Sequence, residues 1–178
     1  MIFNNSTRGP IVMKKISIFI SAAALLMFVA CETAQVQQPA PTVSSSNVWL
    51  KQANEQLAKV PVEGFDYKSS KVPAQKWEKW AAVAAPVVKG IVDSLPADYV
   101  LVIKGHTDAR GPEEATGNKP GNMKISADRA KAVEASIRKQ GITSDKIVSK
   151  GVGSSEPLSG VDANDAAQRR VTFEVAPK

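Results

Sequence analysis

The stretch Tyr99-Val-Leu-Val-Ile103 constrains this 178-residue chain more than any other. It is a nearly continuous apolar run, rich in β-branched side chains and ended by Gly105. A run of that kind reads as a central strand buried on both faces, and it calls for a sheet around it and helices against it. The flanking sequence supplies both. Phe65, Tyr67 and Ser69 alternate after Gly64 and read as an earlier strand. Val72-Pro73 opens a helix whose apolar stripe includes Trp77, Trp80, Ala84, Val88 and Ile91, with a kink expected at Pro86. The helical spacing of Trp77 and Trp80 points to core packing rather than to a sugar-stacking platform. Ser126 is expected to cap a helix running to Gln140, with Ala130, Val133 and Ile137 inward and Gly141 just past its end. Ile147 to Gly151 reads as a strand, Asp165 to Arg169 as one helical turn, and the alternating Val171, Phe173 and Val175 as a last strand. The order β-α-β-α-β-(short α)-β predicts an α/β (α+β) domain of two layers with a mixed sheet.

The N-terminal third has a different character. Lys14 and Lys15 precede an uncharged, mostly apolar run from Ile16 to Ala30, which ends at Cys31. The run has the length of a signal-peptide core and is short for a membrane span. It resembles a bacterial lipoprotein signal, with Phe28 where the usual box has Leu. That resemblance implies cleavage before Cys31 and lipid on its thiol, and Met13 is a candidate start. Residues 32–47 are rich in Gln, Pro, Ser and Thr. They read as a flexible tether that reaches roughly 50 Å when stretched. The expected organisation is a signal peptide at 1–30, a lipidated cysteine and tether at 31–47, a short helical extension at 48–63 capped by Asn47, and the folded domain at 64–178.

Composition removes several function classes. One cysteine allows no internal disulfide, and one histidine, His106, allows no His-rich zinc site within the chain. The net charge of +6 includes Arg8, Lys14 and Lys15, which precede Cys31 with no acid beside them. What remains is 20 basic and 17 acidic side chains, a balance that does not call for a nucleic-acid partner. No cofactor or metal is expected.

The informative stretch is Gly105-His106-Thr107-Asp108, followed by Asn122-x-x-Ile125-Ser126-x-x-Arg129-Ala130. Asp108 falls just past the carboxyl end of the buried strand, where open α/β sheets place ligand groups. Arg129 falls in the first turn of a helix that starts at Ser126, where a cation opposes the helix dipole. Two readings account equally for such a pair: a ligand site, or an ion pair that fastens the intervening loop.

With Gly141-Ile142, Gly151-Val152-Gly153 and Arg169-Arg170-Val171, these motifs resemble, in order and spacing, the OmpA-like peptidoglycan-binding family over roughly residues 64–175. The resemblance implies a non-catalytic lipoprotein of the cell envelope, in the outer membrane with its domain in the periplasm. It implies that the domain binds the diaminopimelate, or a related diamine, of the peptidoglycan stem peptide. Asp108 then takes the ammonium of the ligand and Arg129 its carboxylate. Backbone N–H groups at the start of the helix add donors. Thr107, Asn122 and Ser126 shape the pocket, and Arg170 contributes from the last strand or pairs structurally. The alternatives are a stator or secretion-complex component anchored to the wall, or a wall hydrolase. The last would need a general acid and base, and Glu113 and Glu114 read as solvated. Departures from the family pattern are a long 109–125 loop, Gln168 in place of Asn, and Asp165 where Arg is frequent.

Overall fold

A computed structural model describes residues 45–178. The expected signal peptide, Cys31 and most of the expected tether lie outside the described residues. Helix α1 spans Ser45–Leu57, so it starts inside the expected tether and Asn47 lies within it. This helix is no appendage. Ala53 and Leu57 are buried in the common core, and Asn54 bonds the last strand through both its amide atoms, at 2.7 and 3.1 Å from Val175.

Strand β1 is only Val62–Glu63. The alternation expected through Phe65, Tyr67 and Ser69 does not form a strand. Gly64 has φ +87, which turns the chain out of extended geometry, and Lys68 follows with φ 58. Pro86 breaks the next helix rather than kinking it. The result is α2 at Ala74–Val83 and α3 at Ala85–Asp93, with Pro86 in the first turn of α3, where its missing N–H is tolerated. Trp80 stacks between Trp77 and Phe173 and donates its indole N–H to the Val60 carbonyl at 2.8 Å. The tryptophan pair is thereby tied into the core.

The central strand β2 spans Tyr99–Gly105, α4 Asn122–Lys139, β3 Ile147–Gly151 and β4 Arg170–Pro177, with a 3₁₀ turn at Ala166–Gln168 before β4. The sheet order is β1-β4-β2-β3. β2 runs parallel to β3 and antiparallel to β4, so the sheet is mixed. Leu101 and Ile103 of β2 are fully buried beside Val171, Phe173 and Val175 of β4, while Val100, Val102 and Lys104 are only half-buried. The strand is therefore covered on one face, not on both. Its other face carries Lys104, Thr172 and Glu174, in register across β2 and β4. Alternation of side chains across the pleat produces this two-layer arrangement: helices on one side of the sheet and half-buried polar side chains on the other.

Candidate functional site

The site forms where β2 and β3 end side by side. Gly105 and Gly151 are partners in the parallel ladder. A Cβ on Gly105 would lie 1.9 Å from the Ser126 carbonyl oxygen, and one on Gly151 would lie 2.5 Å from the Ala127 nitrogen. The α4 backbone thus rests directly on both strand ends, an approach only glycine permits. Ser126 is buried in that contact. Its hydroxyl donates to the Met123 carbonyl and accepts the Gly153 N–H, both at 2.9 Å.

The helix begins four residues earlier than its expected cap, so Ser126 is not the N-cap and Arg129 lies in the second turn. Gly121 is the cap, and the long loop folds back to serve the first N–H groups. The Pro112 carbonyl accepts from Asn122 at 2.9 Å and the Glu113 carbonyl from Met123 at 3.0 Å. Donors expected to face a ligand carboxylate are in part satisfied by the chain itself. The expected cost of a cation in the first turn does not arise either. Glu113, read as solvated, is a staple. Its carboxylate accepts from Asn122 Nδ2 at 3.2 Å and from the backbone N–H and hydroxyl of Ser154.

Asp108 follows β2 with its side chain 2% exposed. One oxygen, Oδ2, accepts from Arg110 Nη2 at 2.6 Å and from Arg169 Nη1 at 2.8 Å. Burial alone would raise this carboxyl, but the hydrogen bonds from Arg110 and Arg169 outweigh it and hold its pKa below the ordinary value. Arg169 was not singled out in the sequence, where Arg170 drew attention. Period two could have found it, since Arg169 precedes the inward Val171 by two residues. Arg170 instead donates to the Glu156 carbonyl at 3.0 Å and toward Gln168, and ties down the loop before β4. Gln168 is buried in the same loop and accepts the Leu158 N–H at 2.8 Å, and Asp165 caps the 3₁₀ turn.

Arg129 makes no ion pair with Asp108. It is 1% exposed and gives three N–H groups to backbone carbonyls: Nη1 to His106 at 2.7 Å, Nε to Ser69 at 2.8 Å and Nη2 to Asp66 at 2.9 Å. Burial first, then repulsion from Arg169, lowers its pKa to about 10, against the attraction of Asp108. It therefore stays charged at neutral pH. The segment after Gly64 is pinned by this guanidinium and by Arg169 Nε, which donates to the Phe65 carbonyl at 2.7 Å. Of the two sequence readings of the pair, the direct Asp108–Arg129 ion pair does not form. The cations that meet Asp108 are its loop neighbour and the first arginine of the pair.

Thr107 is buried, and its hydroxyl has no partner among the described residues. Asn122 Nδ2 lies 3.4 Å from the Asp108 carbonyl and steadies the turn. His106 Nε2 shares a 2.8 Å hydrogen bond with Thr172 Oγ1. Burial, with Arg170 and Lys104 nearby, lowers its pKa to about 3, so the imidazole is neutral. Among the described residues no cluster of three or more His, Cys, Asp or Glu side chains is arranged to hold a metal ion.

A family model described as the OmpA family matches residues 79–170. Among solved structures, the peptidoglycan-associated lipoprotein from Burkholderia pseudomallei is 25% identical, with a TM-score of 0.52, over 72% of this chain and 99% of that one. The OmpA-like domain of FopA1 from Francisella tularensis is 24% identical, with a TM-score of 0.46, over 65% of this chain and 70% of that one. Among curated proteins, photosystem I P700 chlorophyll a apoprotein A2 from Gloeobacter violaceus is 31% identical over 120 residues, 64% of this chain. The chain spans only 12% of that relative's length.

Proposed function

The chain belongs to the OmpA family, and from that premise we propose that it is a non-catalytic envelope lipoprotein that holds peptidoglycan at the Asp108 end of the sheet. The family assignment and the likeness to a peptidoglycan-associated lipoprotein support this reading. One observation carries it: Asp108 is a buried carboxylate kept ionised at the end of the central strand, among three guanidinium groups. Such a cluster suits a ligand that bears both charges on one carbon. The free end of diaminopimelate in a stem peptide is that ligand. Its ammonium goes to Asp108. Its carboxylate goes to Arg129, which has five N–H donors and uses three of them on carbonyls. The unpartnered Thr107 hydroxyl is a further hydrogen-bonding group for it. Asn122 and Ser126 hold the walls, and Arg170 acts through packing.

Cys31 supplies the other end, a lipid that places the domain in the periplasm beneath an outer membrane. One acyl chain holds weakly, so stable anchoring requires several. Pull-down of the full chain with purified sacculi tests the wall half. Asp108→Asn keeps the shape of the side chain and removes its charge, and is expected to lower the bound fraction at least tenfold, about the effect of one charged hydrogen bond. Retention equal to the parent would refute the site. The mass of the mature protein reads the membrane half, and an unmodified Cys31 would remove it.

A further inference from the structure

The two guanidinium groups on Asp108 Oδ2 are not equally placed. Arg169 is built in, with its side chain 14% exposed and its Nε committed to the Phe65 carbonyl. Arg110 is 44% exposed and belongs to the polar loop after Asp108. Its guanidinium also lies over the face of Tyr67, whose ring centroid is 4.4 Å from the Arg110 guanidinium carbon. Tyr67 is itself exposed. A solvent-facing cation on a solvent-facing ring thus closes over a carboxylate that has almost no exposure of its own.

We propose that Arg110 is a specificity-determining residue that stands in for the ligand's ammonium in the empty protein and yields its place when the ligand arrives. This rests on the peptidoglycan reading of Asp108 given above. The argument is electrostatic. A buried carboxylate that loses a cationic partner is strongly disfavoured. Exchange of one cation for another leaves Asp108 doubly paired at both ends of the event. A ligand without a cation, such as a neutral sugar or an acylated amine, would leave Arg169 as the sole cation paired with Asp108, beside the backbone N–H of Arg110. Access is therefore reserved for a free amino group. Arg169 cannot play the part, because its release would also free the Phe65 carbonyl. Tyr67 sets the balance: it holds the guanidinium in the closed position through its ring face. Closed molecules do not bind, so the apparent affinity is the intrinsic one reduced by the open fraction.

Calorimetric titration of the full chain with diaminopimelate tests the exchange. Arg110→Ala is expected to bind about 5- to 10-fold more tightly than the parent, as expected if roughly nine in ten parent molecules are closed. Tyr67→Ala leaves every charge in place and is expected to bind about 2- to 4-fold more tightly, the effect of losing one exposed cation–π contact. That gain cannot come from removal of a repelling charge. In the parent, the NMR signal of the Arg110 Nε–H is expected to move as the ligand saturates the site, as it leaves Asp108. Equal or weaker binding by Arg110→Ala, with an unchanged thermal melt, would overturn the exchange. So would a static Arg110 signal at saturation. Where the parent binds and Asp108→Asn does not, failure of the Arg110 and Tyr67 variants to gain affinity sinks the exchange alone. Where neither the parent nor Arg110→Ala binds diaminopimelate at millimolar concentration, the reading of Asp108 falls and takes the exchange with it.

Discussion

Lys104, on the open face of the sheet, meets Glu174 at 2.6 Å and Glu156 at 3.4 Å; Asp108, past the end of the same strand, meets Arg110 and Arg169 at 2.6 and 2.8 Å. In both clusters the nearer partner lies at 2.6 Å. By surroundings they are opposites. The Lys104 side chain is 21% exposed and both its glutamates are partly in solvent, whereas Asp108 is 2% exposed. Burial would lower its pKa, and the two glutamates more than reverse that. Asp108, Arg129 and His106 are sealed in. Ion pairs in water contribute little because solvent already stabilises the separated charges, whereas a sealed charge depends wholly on the protein groups around it. Pairing alone does not mark a site; pairing in the absence of water does.

The sharpest way to break the contrast is Arg129→Met. It strands three carbonyls, the buried one of His106 and the part-buried ones of Ser69 and Asp66, and releases the segment after Gly64. A loss of about 3–5 kcal/mol in urea-monitored stability is expected. A loss below about 1 kcal/mol would put Arg129 in the same class as the open-face pairs. For this reason Asp108→Asn, not a change at Arg129, is the cleaner probe of binding.

His106 gives the next effect. Its pKa in the folded chain is about 3, below the ordinary 6.5, so the unfolded chain takes up the proton first. The stability it contributes is complete above pH 6.5 and is lost as pH falls toward 3. Between pH 6.5 and 4.5 the parent is expected to lose about 2 kcal/mol at one proton. His106→Asn should flatten that slope, and urea midpoints at the two pH values measure it. An equal slope in both proteins would mean that His106 is not the group responsible. The smallest effect belongs to the open face. Lys104→Met is expected to change stability by about 0.5 kcal/mol or less, and a loss above 2 kcal/mol would erase the distinction drawn between the clusters.

Much of the fold was legible along the chain. The apolar run at 99–103, the inward stripe of α4 and the alternation of β4 specify elements through local periodicity, and each formed. Two misreadings fell where one residue's backbone preference competed with a pattern. Gly64 turned an alternating stretch into a loop, and Pro86 divided one helical stripe between two helices. At the site, the sequence singled out Asp108 and Arg129 but not their partners. Arg110 and Arg169 are a loop residue and a strand-end residue, and neither carries a periodic signal strong enough to stand out.

Sequence alone determined the two-layer class, the order of its elements and the positions of the charged residues, because period and glycine placement are local properties. It could not determine which cation meets which anion. Asp108 and Arg169 are 61 positions apart, and Arg129 and Asp66 63. Only the packing of α4 onto two glycines, and the closing of the Gly64 segment over the strand end, decided those partners. Charges pair with whatever the fold brings within 3 Å after water has left, and which groups those are depends on the whole chain at once.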